Sequence, residues 1–221
     1  MAQNSLLKQS TDRRQFIHKV ALASTAGVAA TLAGGDSTQA QGLGGVQSRR
    51  NFSDIQRHEN DHVAFLLSAL GANARPKPTF QNLLQPGFRT FFQISQALEN
   101  TGVGAYLGAA QYIFSRQILA AAGSIALIEA RHAGWLNSLV NVPITTNVFG
   151  QEQSFETPLT PAQVVQLASP FIASLNAGPP VNYSITPSAE NDIAILNFAL
   201  ALEFLEAEFY NANVPVIFPH S

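Results

Sequence analysis

Two Glu-x-x-His pairs carry the chemistry of this chain. Glu59-Asn60-Asp61-His62 and Glu129-Ala130-Arg131-His132 each place a carboxylate and an imidazole one turn apart on a helical face. Apolar residues share those faces, Ile55 and Leu66 with the first pair, Ile125 and Leu136 with the second. The acids are therefore expected to point into a protein interior, where an unpaired charge is costly. A divalent metal removes that cost, and carboxylate with imidazole suits iron, manganese or zinc. Glu99 and Glu203 add one lone acid on each of two further helical segments. A lone Glu from each of two helices and a Glu-x-x-His from each of two others is the donor set of dimetal carboxylate bundles.

Several neighbours compete for these roles. Glu206 and Glu208 follow Glu203 closely and could be the ligand in its place, or be solvated or paired. Glu99 could be an exposed acid at a glycine-rich bend. His58 lies about 100° around the helix from Glu59, which suits a surface position or support of the site. Arg57 and Arg131 suit pairing with carboxylates, and Tyr106 and Trp135 suit packing. Tyr210 lies two turns beyond Glu203 on the same face.

Four long helices must position these residues. Ser53-Asp54-Ile55-Gln56 reads as a capping box, and the helix it opens runs to Leu70, ended by Gly71. Pro76, Pro78, Pro86 and Gly87 make residues 71–90 an extended connection. A second helix spans about 90–116 and a third about 117–140, the boundary between them being open. Residues 141–190 form a long crossover with one short helix signalled by Thr160-Pro161-Ala162-Gln163. The last helix spans about 189–211, with Pro215 barring its extension. Apolar spacings of three and four dominate, and strand alternation is weak. The expected fold is all-α, a four-helix bundle.

Composition narrows the function. Hydrophobic residues make up 46% of the 221 residues and charged ones 12%, unlike a disordered chain. Without cysteine there is no thiol catalysis, disulfide or iron–sulfur site. Near-neutral charge gives no support for a nucleic-acid partner.

The N-terminus reads as an address. Arg13-Arg14 followed by Phe16 precedes an apolar run from Val20 to Ala33 and small residues near Ala40. That pattern is a twin-arginine-type export signal, and the run is short of the roughly 20 residues that span a bilayer. Residues 1–40 are thus expected to be a signal cleaved near Ala40, and 41–221 a periplasmic or extracellular domain. That domain keeps eight of the twelve basic and twelve of the fourteen acidic residues, net −4. No transmembrane segment is expected in it.

The segments H-E-N-D-H-V-A-F-L, A-L-E-N-T-G-V-G-A-Y-L-G-A-A, I-E-A-R-H-A-G-W-L and I-L-N-F-A-L-A-L-E-F-L-E-A-E-F-Y resemble the ferritin-like superfamily. The likeness is to its exported members related to desiccation-associated proteins. The resemblance implies a centre of two iron or manganese ions on Glu59, His62, Glu99, Glu129, His132 and Glu203. Glu99 and Glu203 are expected to be its flexible or bridging acids, with Tyr210 as a catalytic donor nearby. The only methionine is Met1, which excludes a methionine-ligated haem. The helix order departs from the usual one, because the lone-Glu helix that normally leads comes last, a circular permutation. Whether that helix completes its own bundle or exchanges within a homodimer is open. Two function classes follow: a dimetal protein that oxidises Fe²⁺ or consumes peroxide or dioxygen, and a non-catalytic stress or envelope protein with a structural bundle.

Overall fold

A computed structural model describes residues 45–219, so the export signal expected at 1–40 lies outside the described residues. Five α-helices appear in chain order: α1 (Val46–Leu70), α2 (Phe88–Ala110), α3 (Arg116–Leu139), α4 (Pro161–Ala168) and α5 (Ala189–Ile217). The only strands among the described residues, β1 (Thr79–Phe80) and β2 (Ile172–Ser174), pair antiparallel. The all-α expectation holds. No described helix is long and apolar enough to cross a membrane.

The helix pairs α1–α5 and α2–α3 make the bundle, and α5 also packs on α2. Cross-helix hydrogen bonds set their directions. Gln56 and Asn60 reach Asn211 while His62 reaches Glu203, so α1 and α5 run antiparallel. Gln96 reaches Asn137 while Gly102, further along α2, lies against Glu129, earlier in α3, so α2 and α3 do too. Nearly every residue of α5 from Ile195 to Ala207 is buried, as in a helix surrounded by protein. The last helix thus carries Glu203 to the inside of the bundle.

Two apolar layers close the bundle. At one end Phe52 touches the rings of Phe91, Phe92, Trp135 and Phe218. At the other, Leu66, Leu70, Ile125, Leu196, Leu200 and Phe204 form a mostly aliphatic cluster. The acids sit between.

Three boundaries differ from the sequence reading. The first helix begins at Val46, so Ser53 is not its cap. Ser48 and Phe52 continue the buried stripe of Ile55 and Glu59 one more turn toward the N-terminus, and that packing overrides the local capping signal. Between α2 and α3, Ser115 caps α3, and the buried Asp192 of α5 accepts the N–H groups of Phe114 and Ser115 at 2.7 and 2.9 Å. At the far end α5 runs through Pro215 to Ile217. A proline near the end of a helix loses one hydrogen bond, while Val214 and Phe218 stay buried.

The crossover lies on α2. Thr160 caps α4 with the reciprocal Gln163 bonds expected of the capping box. Just before it, the Leu159 N–H donates to the Gly104 carbonyl at 2.9 Å. A Cβ on Gly108 would stand 1.9 Å from the Leu159 carbonyl oxygen, so only glycine permits this approach. Gly123 of α3 has open space around it. Gly108→Ala is therefore expected to destabilise the protein by about 3 kcal/mol through backbone overlap. Gly123→Ala is expected to stabilise it by about 0.5–1 kcal/mol, having no contact to oppose the gain in helix propensity. Thermal melts of both variants check this, and equal shifts would contradict the packing described.

Candidate metal centre

Each helix of the bundle delivers its acid to one buried point. Glu59 and His62 project from α1, Glu129 and His132 from α3, Glu99 from α2 and Glu203 from α5. The four carboxylates are at most 1% exposed and the two imidazoles at most 9%. All six predicted residues come together.

The distances divide the site into two halves. His62 Nδ1 lies 3.0 Å from Glu59 Oε2 and 3.2 Å from both Glu203 Oε2 and Glu129 Oε1. His132 Nδ1 lies 3.0 Å from Glu99 Oε2 and 3.1 Å from Glu59 Oε1. Glu59, His62, Glu129 and Glu203 thus form one group that could hold a metal ion, and Glu59, Glu99, Glu129 and His132 a second. The acids common to both are Glu59 and Glu129. Glu99 and Glu203, expected as flexible or bridging acids, each belong to one half only. The reason is geometric, since each lone acid is tethered on its outer side.

That tether is a tyrosine. Tyr210 donates to Glu99 Oε1 at 2.6 Å, and Tyr106 donates to Glu203 Oε1 at 2.5 Å. The pairing is reciprocal: α5 holds the acid of α2, and α2 holds the acid of α5. Tyr106, expected as a packing residue, is part of the site. A signal for it exists in the sequence, because Glu99 to Tyr106 and Glu203 to Tyr210 share one spacing, Glu-x₆-Tyr. Tyr210 itself lies as close to the acids as anticipated, as a donor to Glu99.

The surroundings settle the competing residues. Glu208 pairs with Lys77 at 2.8 Å and is half-exposed. Glu206 is buried beside the site, outside both groups that could hold a metal. His58 stacks on His132, its Nδ1 2.9 Å from Nε2, so the Nδ1 of His132 faces the carboxylates. Arg57 pairs with Asp54 and Asp61 as expected of it. Trp135 packs on Phe52.

Charge dominates the site's electrostatics. Burial, reinforced by Glu99, pushes the Glu59 carboxyl up to about 7. Burial and the surrounding acids raise Glu129 and Glu206 well above the carboxylate range. Burial also raises Glu99, but His132 and the Tyr210 hydroxyl outweigh it and hold that carboxyl low. For the imidazoles burial acts downward, yet Glu203 and Glu59 raise His62 to about 10, and Glu99 and Glu59 raise His132 to about 10. Burial first, then the adjacent Glu203 or Glu99, lifts the Tyr106 and Tyr210 hydroxyls well above their usual range.

The donor set fits a metal on one further observation. Glu59 Oε1 and both Glu129 oxygens are buried without a hydrogen-bond partner. The imidazole nitrogens lie within 3.2 Å of Glu59 Oε1 and Glu129 Oε1 but are not aligned to bond them. These unsatisfied oxygens belong to the two acids shared by both halves, and a bound cation would satisfy what the protein leaves open.

No curated protein and no solved structure matches the chain. A family model described as a ferritin-like domain matches residues 13–142, more than half of the sequence. The match takes in α1, α2 and α3, and with them five of the six clustered acids and imidazoles; the chain belongs to the ferritin-like domain family.

Proposed function

We propose that this is an exported protein whose bundle holds a non-haem centre of two iron or manganese ions and oxidises Fe²⁺ or consumes peroxide or dioxygen. The observation that carries the reading is the pair of shared carboxylates, Glu59 and Glu129, with three buried oxygens left unbonded. Its relation to desiccation-associated exported proteins, and its permuted helix order, belong to the same reading. A bundle built only for stability would gain more from apolar residues at these positions.

Glu59 and Glu129 would serve both ions, His62 and Glu203 one of them, His132 and Glu99 the other. When bound, the metals supply the redox chemistry. The chain's own contribution is placement. Tyr106 and Tyr210 fix the outer oxygens of Glu203 and Glu99, leaving one oxygen of each free to face inward. His58 holds the His132 ring, the kind of outer contact that orients a metal ligand. The aromatic and aliphatic layers on either side keep water out, which strengthens every charge interaction within.

Elemental analysis of the purified protein is expected to find about two equivalents of iron or manganese. The Glu59→Ala/Glu129→Ala double variant is expected to lose them. Absence of metal from the wild type, with a variant as well folded as the parent, would remove the reading.

Protons and metal compete for the same atoms. Glu59, near 7 when folded and 4.5 when unfolded, binds a proton only in the folded chain between those values, so metal-free stability falls as pH rises through them. His62 and His132, near 10 when folded and 6.5 when unfolded, extend the fall toward pH 10. Glu99, held low, acts in the opposite sense only below the ordinary carboxylate range. Metal binding requires these groups deprotonated and is favoured by the same rise. From pH 5 to 8 the metal-free melting temperature should therefore drop while metal affinity increases. A metal-free protein that gains stability across this range would contradict the assignment.

A further inference from the structure

The two ends of the bundle differ in charge. At the aromatic end α1 and α2 begin and α3 and α5 finish, as the contacts of Phe52 with Phe91, Trp135 and Phe218 require. Arg49, Arg50 and Arg89 lie there, three of the eight basic residues beyond residue 40. The segments that build this end, residues 45–53, 81–92, 133–144 and 209–219, contain no Asp or Glu. Arg49 and Arg50 have no ion-pair partner among the described residues. A domain of net −4 thus carries a positive end.

The same end exposes apolar side chains. Val46 opens α1, Val216 lies in the last turn of α5, and Phe88 opens α2 with its ring against Phe218. Leu84 sits beside Gln85, whose N–H donates to Asn213 near the end of α5 at 2.8 Å. All four are at least 45% exposed. Exposed apolar residues scattered singly need no account, but these share one end with the arginines. The opposite end exposes Phe114 and Ile185, yet α5 begins there with Glu190 and Asp192 against a single Arg116.

Charge and apolarity together select the occupant. A second copy placed end to end would set arginine against arginine. An anionic lipid bilayer complements both features, with headgroup phosphates for the arginines and hydrocarbon for the side chains between them. Either attraction alone gives weak attachment, and the two together give a stable one. The chain also enters this end at Val46, so the apolar run of residues 20–33, expected to address the protein to a membrane, is joined to it.

We propose that the aromatic end of the bundle docks on an anionic bilayer through Arg49, Arg50 and Arg89, with Val46, Leu84, Phe88 and Val216 inserted among the headgroups. The contact is peripheral, and the docked bundle stands with its helix axes along the bilayer normal. It uses only the outer surface of the bundle and holds whether or not the centre takes metal.

Vesicle sedimentation of the purified protein tests it. Binding is expected on vesicles containing phosphatidylglycerol, to fall as salt rises, and to be weak on pure phosphatidylcholine. Arg49→Gln/Arg50→Gln is expected to weaken it roughly 25-fold, about fivefold for each arginine. Leu84→Ser should weaken it as well, and Phe114→Ser at the opposite end should not. All these positions are on the surface, so unchanged thermal melts show that lost binding is not lost folding. The chain has no cysteine, so Val216→Cys and Phe114→Cys each accept a single polarity-sensitive dye. On phosphatidylglycerol vesicles the dye at position 216 is expected to shift to the blue, and the dye at 114 to stay. Attachment through residues 20–33 alone would give equal binding to both vesicle types and no loss in the variants, and either result overturns the proposal. So does an absence of binding, a shift at both dye positions, or a dimer that the arginine substitutions dissociate, which would make this end an interface between copies.

Discussion

Four carboxylates buried around two imidazoles are the constraint on which the rest of the fold depends. Even with both imidazoles protonated, four ionised acids leave an excess of negative charge in a medium that screens it poorly. The metal-free chain can relieve this by keeping protons, and Glu59 and Glu129 are the groups whose carboxyls are pushed up. These are also the acids with unbonded oxygens, at the position common to both halves. The strain is thus concentrated on the two groups that a cation would serve twice. Around them the described residues offer tyrosine hydroxyls, the Glu206 carboxyl and apolar side chains but no arginine or lysine, so no cation of the described chain would compete with a metal.

The arrangement has a simple internal logic. A helix with Glu-x-x-His and a helix with Glu-x₆-Tyr make one half, α1 with α5; the same two patterns recur in α3 and α2. Each tyrosine serves the acid of the opposite half, which ties the halves together without using a shared carboxylate for the purpose. A lone acid with one oxygen held by tyrosine keeps only its other oxygen for the centre. That leaves the shared positions to Glu59 and Glu129, whose oxygens are free of such tethers.

Much of this was legible in the sequence, for reasons that show where such reading stops. Glu-x-x-His on an apolar face is a local pattern with a fixed helical geometry, so the two pairs and their helices follow from spacing, whereas Glu99 and Glu203, with competing readings of their own, join them through the resemblance to ferritin-like proteins. Tyr106 did not, because a lone tyrosine in an apolar helix is ordinary packing until its repeat in Tyr210 is compared. The start of α1 was placed late because Ser53 forms a plausible cap, and only Phe52 packing on Phe91 and Phe92 shows that the stripe continues upstream. Pro215 misled in the opposite direction: the penalty for proline is small in a final helical turn whose neighbours are buried. Which acids are shared could not be read at all, since it depends on the tyrosines across the bundle.

The glycine-rich stretch of α2 joins these themes. Gly104 and Gly108 are four apart and share a face, the one on which Leu159 lies. Gly102 is two residues from Gly104, about 200° around the helix, and shares the inward face with Glu99 and Tyr106. One helix thus uses the same residue type on opposite sides for different ends: outward to seat the crossover that carries the chain to α5, inward to make room for Glu129 and Glu206. The crossover seated outside is what brings α4 over α2, and α4 places Ala168 near Gly102. The long connection that the helix order requires therefore also builds a wall next to the centre.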